Sequence, residues 1–126
     1  MSETDARIVH PDPADEILIP EGCRILESWN CPEDPAVSIA RARVAPGTAT
    51  RAHRLHGVRE RYLVVSGRGE VTIDGGPSQP VGPGDVVVIP PGRSQSIRNP
   101  GDCDLVFYAI CTPRFTPDCY EDLEAG

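Results

Sequence analysis

Fourteen prolines and twelve glycines, spread along 126 residues, constrain this chain more than any other feature. Proline breaks a helix interior and glycine favours turns, so the segments between them suit short extended strands rather than long helices. Val37–Val44 alternates apolar and polar side chains, the period of a half-buried strand. Cys23–Trp29, Arg61–Val65, Glu70–Asp74, Asp85–Ile89, Gln95–Arg98 and Leu105–Cys111 read as further strands, rich in residues that fit a pleated surface. Turn signals separate them: Ala45-Pro46-Gly47, Ser66–Gly69, Pro83-Gly84, Pro90–Gly92 and Asn99–Asp102. Asp74-Gly75-Gly76 supplies the positive φ of a tight hairpin. Thr48–Leu55 leads into a bend at Gly57-Val58, and a short acidic helical turn is expected around Tyr120–Leu123.

Short strands with turns between them argue for an all-β sandwich or closed barrel. No strand–helix alternation suggests a nucleotide-binding α/β sheet. Gly67-Arg68-Gly69 reads as a hairpin rather than a phosphate loop, because no helix opens after it and a third glycine is missing. The length suits one domain. The expected organisation is a flexible N-terminal segment over 1–15, a single domain over 16–114 and an acidic tail over 115–126.

The net charge of −7 conceals a division. Residues 1–35 carry nine acids against Arg7 and Arg24, whereas residues 41–98 carry nine arginines against four acids. An acidic chain is repelled by phosphate backbones, which argues against a nucleic-acid partner. No apolar run approaches the ~20 residues that cross a bilayer, so no membrane role is expected. Met1–Arg7 is acidic and lacks the apolar core of a signal peptide, so a cytoplasmic address is the expectation. Five cysteines without a closely spaced pair do not make a zinc ribbon, and free, packed thiols are expected. The arginines suit a solvated outer face; alternatively, Arg51 or Arg59 meets an anionic small molecule through forked hydrogen bonds.

Two stretches stand out together. The first runs from Pro46 to Gly67 and contains His53, Leu55, His56 and Glu60; the second runs from Gly84 to Asn99 and contains Pro90, Gly92 and Gln95. They resemble the two motifs of the cupin superfamily. The first family motif is a glycine, a His-x-His pair, a glutamate and a closing glycine. The second is a glycine, five residues, Pro-x-Gly, a histidine and an asparagine. Gly84, Pro90, Gly92 and Asn99 occupy the matching positions of the second motif. The resemblance implies a double-stranded β-helix, or jelly-roll, barrel.

The residues support that match independently. Alternation puts His53 and Leu55 on one face, Glu60 follows on the next strand, and Gln95 shares a face with Ile97 and Asn99. Three strands then converge polar side chains in an apolar interior, where a carboxylate needs a partner or a cation. The resemblance implies a divalent transition metal held by His53, Glu60 and Gln95, without distinguishing iron, manganese, nickel or zinc. Two departures matter. Leu55 stands where the family has its second histidine, and Gln95 stands in place of the third. His56 either points outward from the barrel rim or is turned inward by a bulge near Gly57. Tyr62 either hydrogen-bonds the Glu60 carboxylate or fills the barrel; with Arg51 it completes the expected ligand-binding set.

The fold does not choose among oxygenase, isomerase and lyase chemistry, and no residue is assigned a catalytic role. No serine-hydrolase elbow, glycosidase carboxylate pair or helical His-Glu-x-x-His signature is present. A divalent-metal-dependent enzyme acting on a small molecule in the barrel is the expected function, and a non-catalytic small-ligand binder with a degenerate metal site is the alternative. Small jelly rolls often pair through their sheets to cover exposed strand edges, so a homodimer through residues 16–44 is expected.

Overall fold

The computed structural model describes residues 5–124. The chain runs through β1 (Ile17–Leu18), β2 (Arg24–Trp29), β3 (Ser38–Val44) and β4 (His53–Leu55). It continues through β5 (Arg59–Ser66), β6 (Gly69–Ile73), β7 (Gln79–Val81) and β8 (Val86–Ile89). β9 (Gln95–Arg98), β10 (Leu105–Thr112) and β11 (Tyr120–Asp122) complete it. Two antiparallel sheets result, in the orders β1-β2-β3-β10-β5-β8 and β11-β4-β9-β6-β7. The all-β jelly-roll expectation holds.

Alternation decides which side chains fill the space between the sheets. On β5, Glu60, Tyr62 and Val64 are buried, while Leu63 and Val65 face out. On β3, Ser38, Ala42 and Val44 turn inward, while Arg41 and Arg43 lie on the outer side. Val44, Val64, Val71, Ile89, Ile97, Leu105 and Phe107 form the main core. A smaller cluster of Leu55, Val58, Cys111 and Cys119 packs with Phe115 and Tyr120.

The two motif stretches lie side by side. The Gly47 amide donates to the Asn99 carbonyl, and the Asn99 amide donates to the Thr48 carbonyl, each at 2.9 Å. The Asn99 side chain, fully buried, donates to the carbonyls of Val44 and Cys103 and accepts from the Gly101 amide. Gly67 turns β5 into β6 at φ +81°, where a Cβ would overlap the Asp104 carbonyl oxygen. Asp74 and Gly75 both take positive φ, as the hairpin reading requires.

The C-terminal segment departs from expectation. Pro117–Cys119 is a 3-10 turn, and Tyr120–Asp122 is a strand rather than a helical turn. Tyr120 sits opposite Leu55, Glu121 opposite Arg54 and Asp122 opposite His53. A helix this short pays the full cost of nucleation, whereas the strand gains backbone bonds from β4. Its acids also meet arginines: Asp122 pairs with Arg51 at 3.0 Å and Glu121 with Arg54 at 3.5 Å. The strands β1 and β7 are also absent from the sequence reading. In the segment expected to be loose, Pro13–Asp15 forms a 3-10 turn capped by the Asp12 side chain; residues 1–4 lie outside the described residues.

The charge division has a structural explanation. Glu16 pairs with both Arg41 and Arg43, so acids from both ends of the chain fold over the arginine-rich middle. Such half-exposed pairs each contribute little stability, but they keep these guanidinium groups on the outside. Among the described residues, no helix is long and apolar enough to cross a membrane.

Candidate functional site

His53 and Gln95 sit directly opposite each other in the β4–β9 pair. Both are almost fully buried, at 3% and 1% exposure. Glu60 and Tyr62 project inward from β5, on the facing sheet. The Tyr62 hydroxyl donates to Gln95 Oε1. The structure therefore gathers His53, Glu60, Gln95 and Tyr62 between the sheets, as alternation predicts. The tyrosine bonds the amide and not the carboxylate, and its ring packs on Phe107 with centroids 4.4 Å apart.

Beside this group lies a cavity of about 470 Å³. Its lining includes the polar residues Glu21, His53, Glu60, Tyr62, Cys111 and Tyr120 and the apolar residues Ile19, Ile25, Leu55, Phe107 and Phe115. Glu21 and Tyr120 are residues that sequence reasoning misses; Glu21 is the charged one. It lies in the turn between β1 and β2, and its Oε1 is 3.1 Å from His53 Nε2. The other ring nitrogen, Nδ1, lies 2.7 Å from the Arg51 carbonyl. A carbonyl only accepts, so Nδ1 carries the proton and Nε2 faces the Glu21 carboxylate. Tyr120 stacks on the imidazole at 5.2 Å, with 22° between the rings. The Cys23 thiol donates to the second Glu21 oxygen at 3.2 Å.

Glu60 is the electrostatic centre. Burial, reinforced by the nearby Glu21 charge, pushes its carboxyl from the usual range up to about 7. His53 pulls in the opposite direction, followed by Gln95 and Cys111. The Cys111 thiol donates to Glu60 Oε2 at 3.7 Å, but Glu60 Oε1 has no hydrogen-bond partner. Gln95 Nε2 also lacks one: the amide counters the rise without forming a well-aligned bond. Burial and the Glu60 charge raise the Cys111 thiol, and burial and the Glu21 charge raise Cys23, so both stay protonated and poorly nucleophilic.

Two residues lie apart from this centre. Arg51 directs its guanidinium to Asp122 and does not line the cavity. His56 is 58% exposed and contacts Glu121 Oε1 at 2.7 Å, so no bulge turns it inward.

A pair of antiparallel sheets with convergent polar side chains and an internal cavity between them defines a double-stranded β-helix barrel. The chain belongs to the cupin family: the cupin-domain model matches residues 40–111, more than half of its length. It is 38% identical over 71 residues to an oxalate-binding protein of Thermotoga maritima, covering 56% of this chain and 58% of that protein's length. A Cupin 2 conserved barrel domain protein from Salinispora arenicola superposes with a TM-score of 0.71 at 28% identity, over 86% of this chain and 90% of that one. A nucleoside dehydratase from Streptomyces shares the fold, with a TM-score of 0.74 at 16% identity over 93% and 92% of the two chains.

Cupins commonly bind a divalent metal, so the residues can be tested for fit. Leu55 offers no donor, the Gln95 oxygen already accepts from Tyr62, and His53 Nε2 faces Glu21. Among the described residues, no three His, Cys, Asp or Glu side chains are grouped to hold an ion. The set does not fit a tightly held metal.

Removing the Tyr62 hydroxyl leaves the buried Gln95 amide without its partner. Tyr62→Phe is therefore expected to lower stability by about 1–3 kcal/mol in urea denaturation. A change within ~0.5 kcal/mol, the usual range for surface substitutions, would mean that this hydrogen bond contributes nothing.

Proposed function

We propose that this chain binds a small organic molecule in its barrel cavity without a metal ion. The observation that carries this reading is the donor set: Leu55 in place of an imidazole, Gln95 engaged by Tyr62, and His53 paired with Glu21. A largely apolar cavity with a few convergent polar groups is the usual form of a small-molecule site. The oxalate-binding relative supports small-ligand binding in general. It does not support oxalate itself, because no arginine lines this cavity to receive a dianion.

A second reading, catalysis by proton transfer, is favoured by Glu60. A buried carboxyl poised near 7 can accept or return a proton on a bound molecule at neutral pH. A metal-dependent oxygenase, isomerase or lyase is the competing account. The expected homodimer is supported by edge strand β1, whose Ile17 and Leu18 are 60% and 64% exposed. A single-chain mass by light scattering at micromolar concentration would remove it.

Elemental analysis of protein purified without chelator separates the two main accounts. The expected result is iron, manganese, nickel and zinc well below one ion per chain, with a melting temperature unchanged by EDTA. Stoichiometric metal that disappears in Glu60→Ala would overturn the metal-free reading.

A further inference from the structure

The geometry points to an organic cation, an amine or similar nitrogen base carrying an apolar body, as the ligand class of this cavity. This rests on the small-molecule reading above and adds the sign of the ligand's charge.

The first observation is how the wall is charged. Asp15, Glu21, Glu27 and Glu60 line the cavity against a single basic side chain, His53. None of the chain's twelve arginines is among the lining residues, and the chain has no lysine. Asp15 and Glu27 are exposed, whereas Glu21 and Glu60 are largely buried. An anion in the cavity therefore faces more acidic than basic side chains. Like charges repel several times more strongly in a partly dry interior than in water.

The second observation is independent of that count. Glu60 is 8% exposed, lines the cavity, and its Oε1 has no hydrogen-bond partner in the protein. A buried acceptor without a partner is costly, and a cationic N–H is the donor that satisfies it most strongly. A neutral hydroxyl would satisfy the bond without answering the charge that Glu60 carries when ionised.

The third observation concerns the ligand's body. Tyr62, Phe107, Phe115 and Tyr120 line the same space, and aromatic faces attract a cation as well as apolar carbon. Four aromatic residues among apolar neighbours favour an amine carrying a ring or a short alkyl chain over a small hydrated cation.

Calorimetric titration with benzylamine, benzyl alcohol and benzoate tests the inference, because the three share a ring and differ in charge. Benzylamine is expected to bind at least about 10-fold more tightly than benzoate, the effect of one charge-assisted bond gained rather than one repulsion incurred. Glu60→Gln should weaken benzylamine about 10-fold and leave benzyl alcohol within about 2-fold. Ala40→Phe, which fills the cavity from β3, should abolish binding of all three. Glu27→Gln, on the exposed rim, gives a second reading should Glu60→Gln not fold, with a loss of about 2-fold for the amine alone. Benzoate binding as tightly as benzylamine, and abolished by Ala40→Phe, would overturn the charge assignment while leaving the small-molecule site intact. Failure of all three probes to bind at millimolar concentration would overturn both.

Discussion

The direct opposition of His53 and Gln95 across the β4–β9 pair is the constraint on which the site depends. A shift of register by one residue would send either side chain to the outer face of its sheet. With both held inward, Tyr62 on the facing sheet reaches the Gln95 oxygen, and that bond links the two sheets through the barrel interior. The surrounding packing supports the register: Leu55 and Ile97, each two residues from the pair, belong to the two hydrophobic clusters. Packing and polar geometry are thus set by the same alternation.

That arrangement leaves Glu60 with an environment that only partly compensates its charge. One oxygen takes a long bond from the Cys111 thiol and the other takes none. His53 stands near, but its Nε2 is turned to Glu21. The carboxyl responds by holding its proton to higher pH. Meanwhile Arg41, Arg43, Arg51 and Arg54 are engaged on the outside by Glu16, Asp122 and Glu121. The chain has sorted its charges: these arginines pair on the surface, and the carboxylates of Glu21 and Glu60 sit in the cavity with His53.

Much of this was legible in the amino-acid sequence, for identifiable reasons. Period-two alternation carries His53 with Leu55 and Glu60 with Tyr62, and the proline and glycine turns delimit β9 at the residues expected. What alternation cannot show is where a turn is brought by the strand order. Glu21 lies between strands, without a period of its own, and reaches His53 only because the six-stranded sheet folds its first turn over β4. Tyr120 was hidden for a related reason, since its three-residue strand exists only through pairing with β4. Strict alternation would also carry Arg51 inward with His53. The strand begins only at His53, however, and the Arg51 guanidinium turns to Asp122.

The central claim is that the Glu60 carboxyl is enclosed in the barrel and only partly compensated by its neighbours. Nuclear magnetic resonance of protein carrying ¹³C at glutamate side-chain carboxyls, with Glu60 assigned by its loss in Glu60→Gln, measures this directly as a function of pH. The account predicts a midpoint for Glu60 near 7, in line with its burial beside Glu21. A midpoint at or below the ordinary glutamate value of about 4.3 would mean that this carboxylate is solvated or ion-bound, contradicting the account.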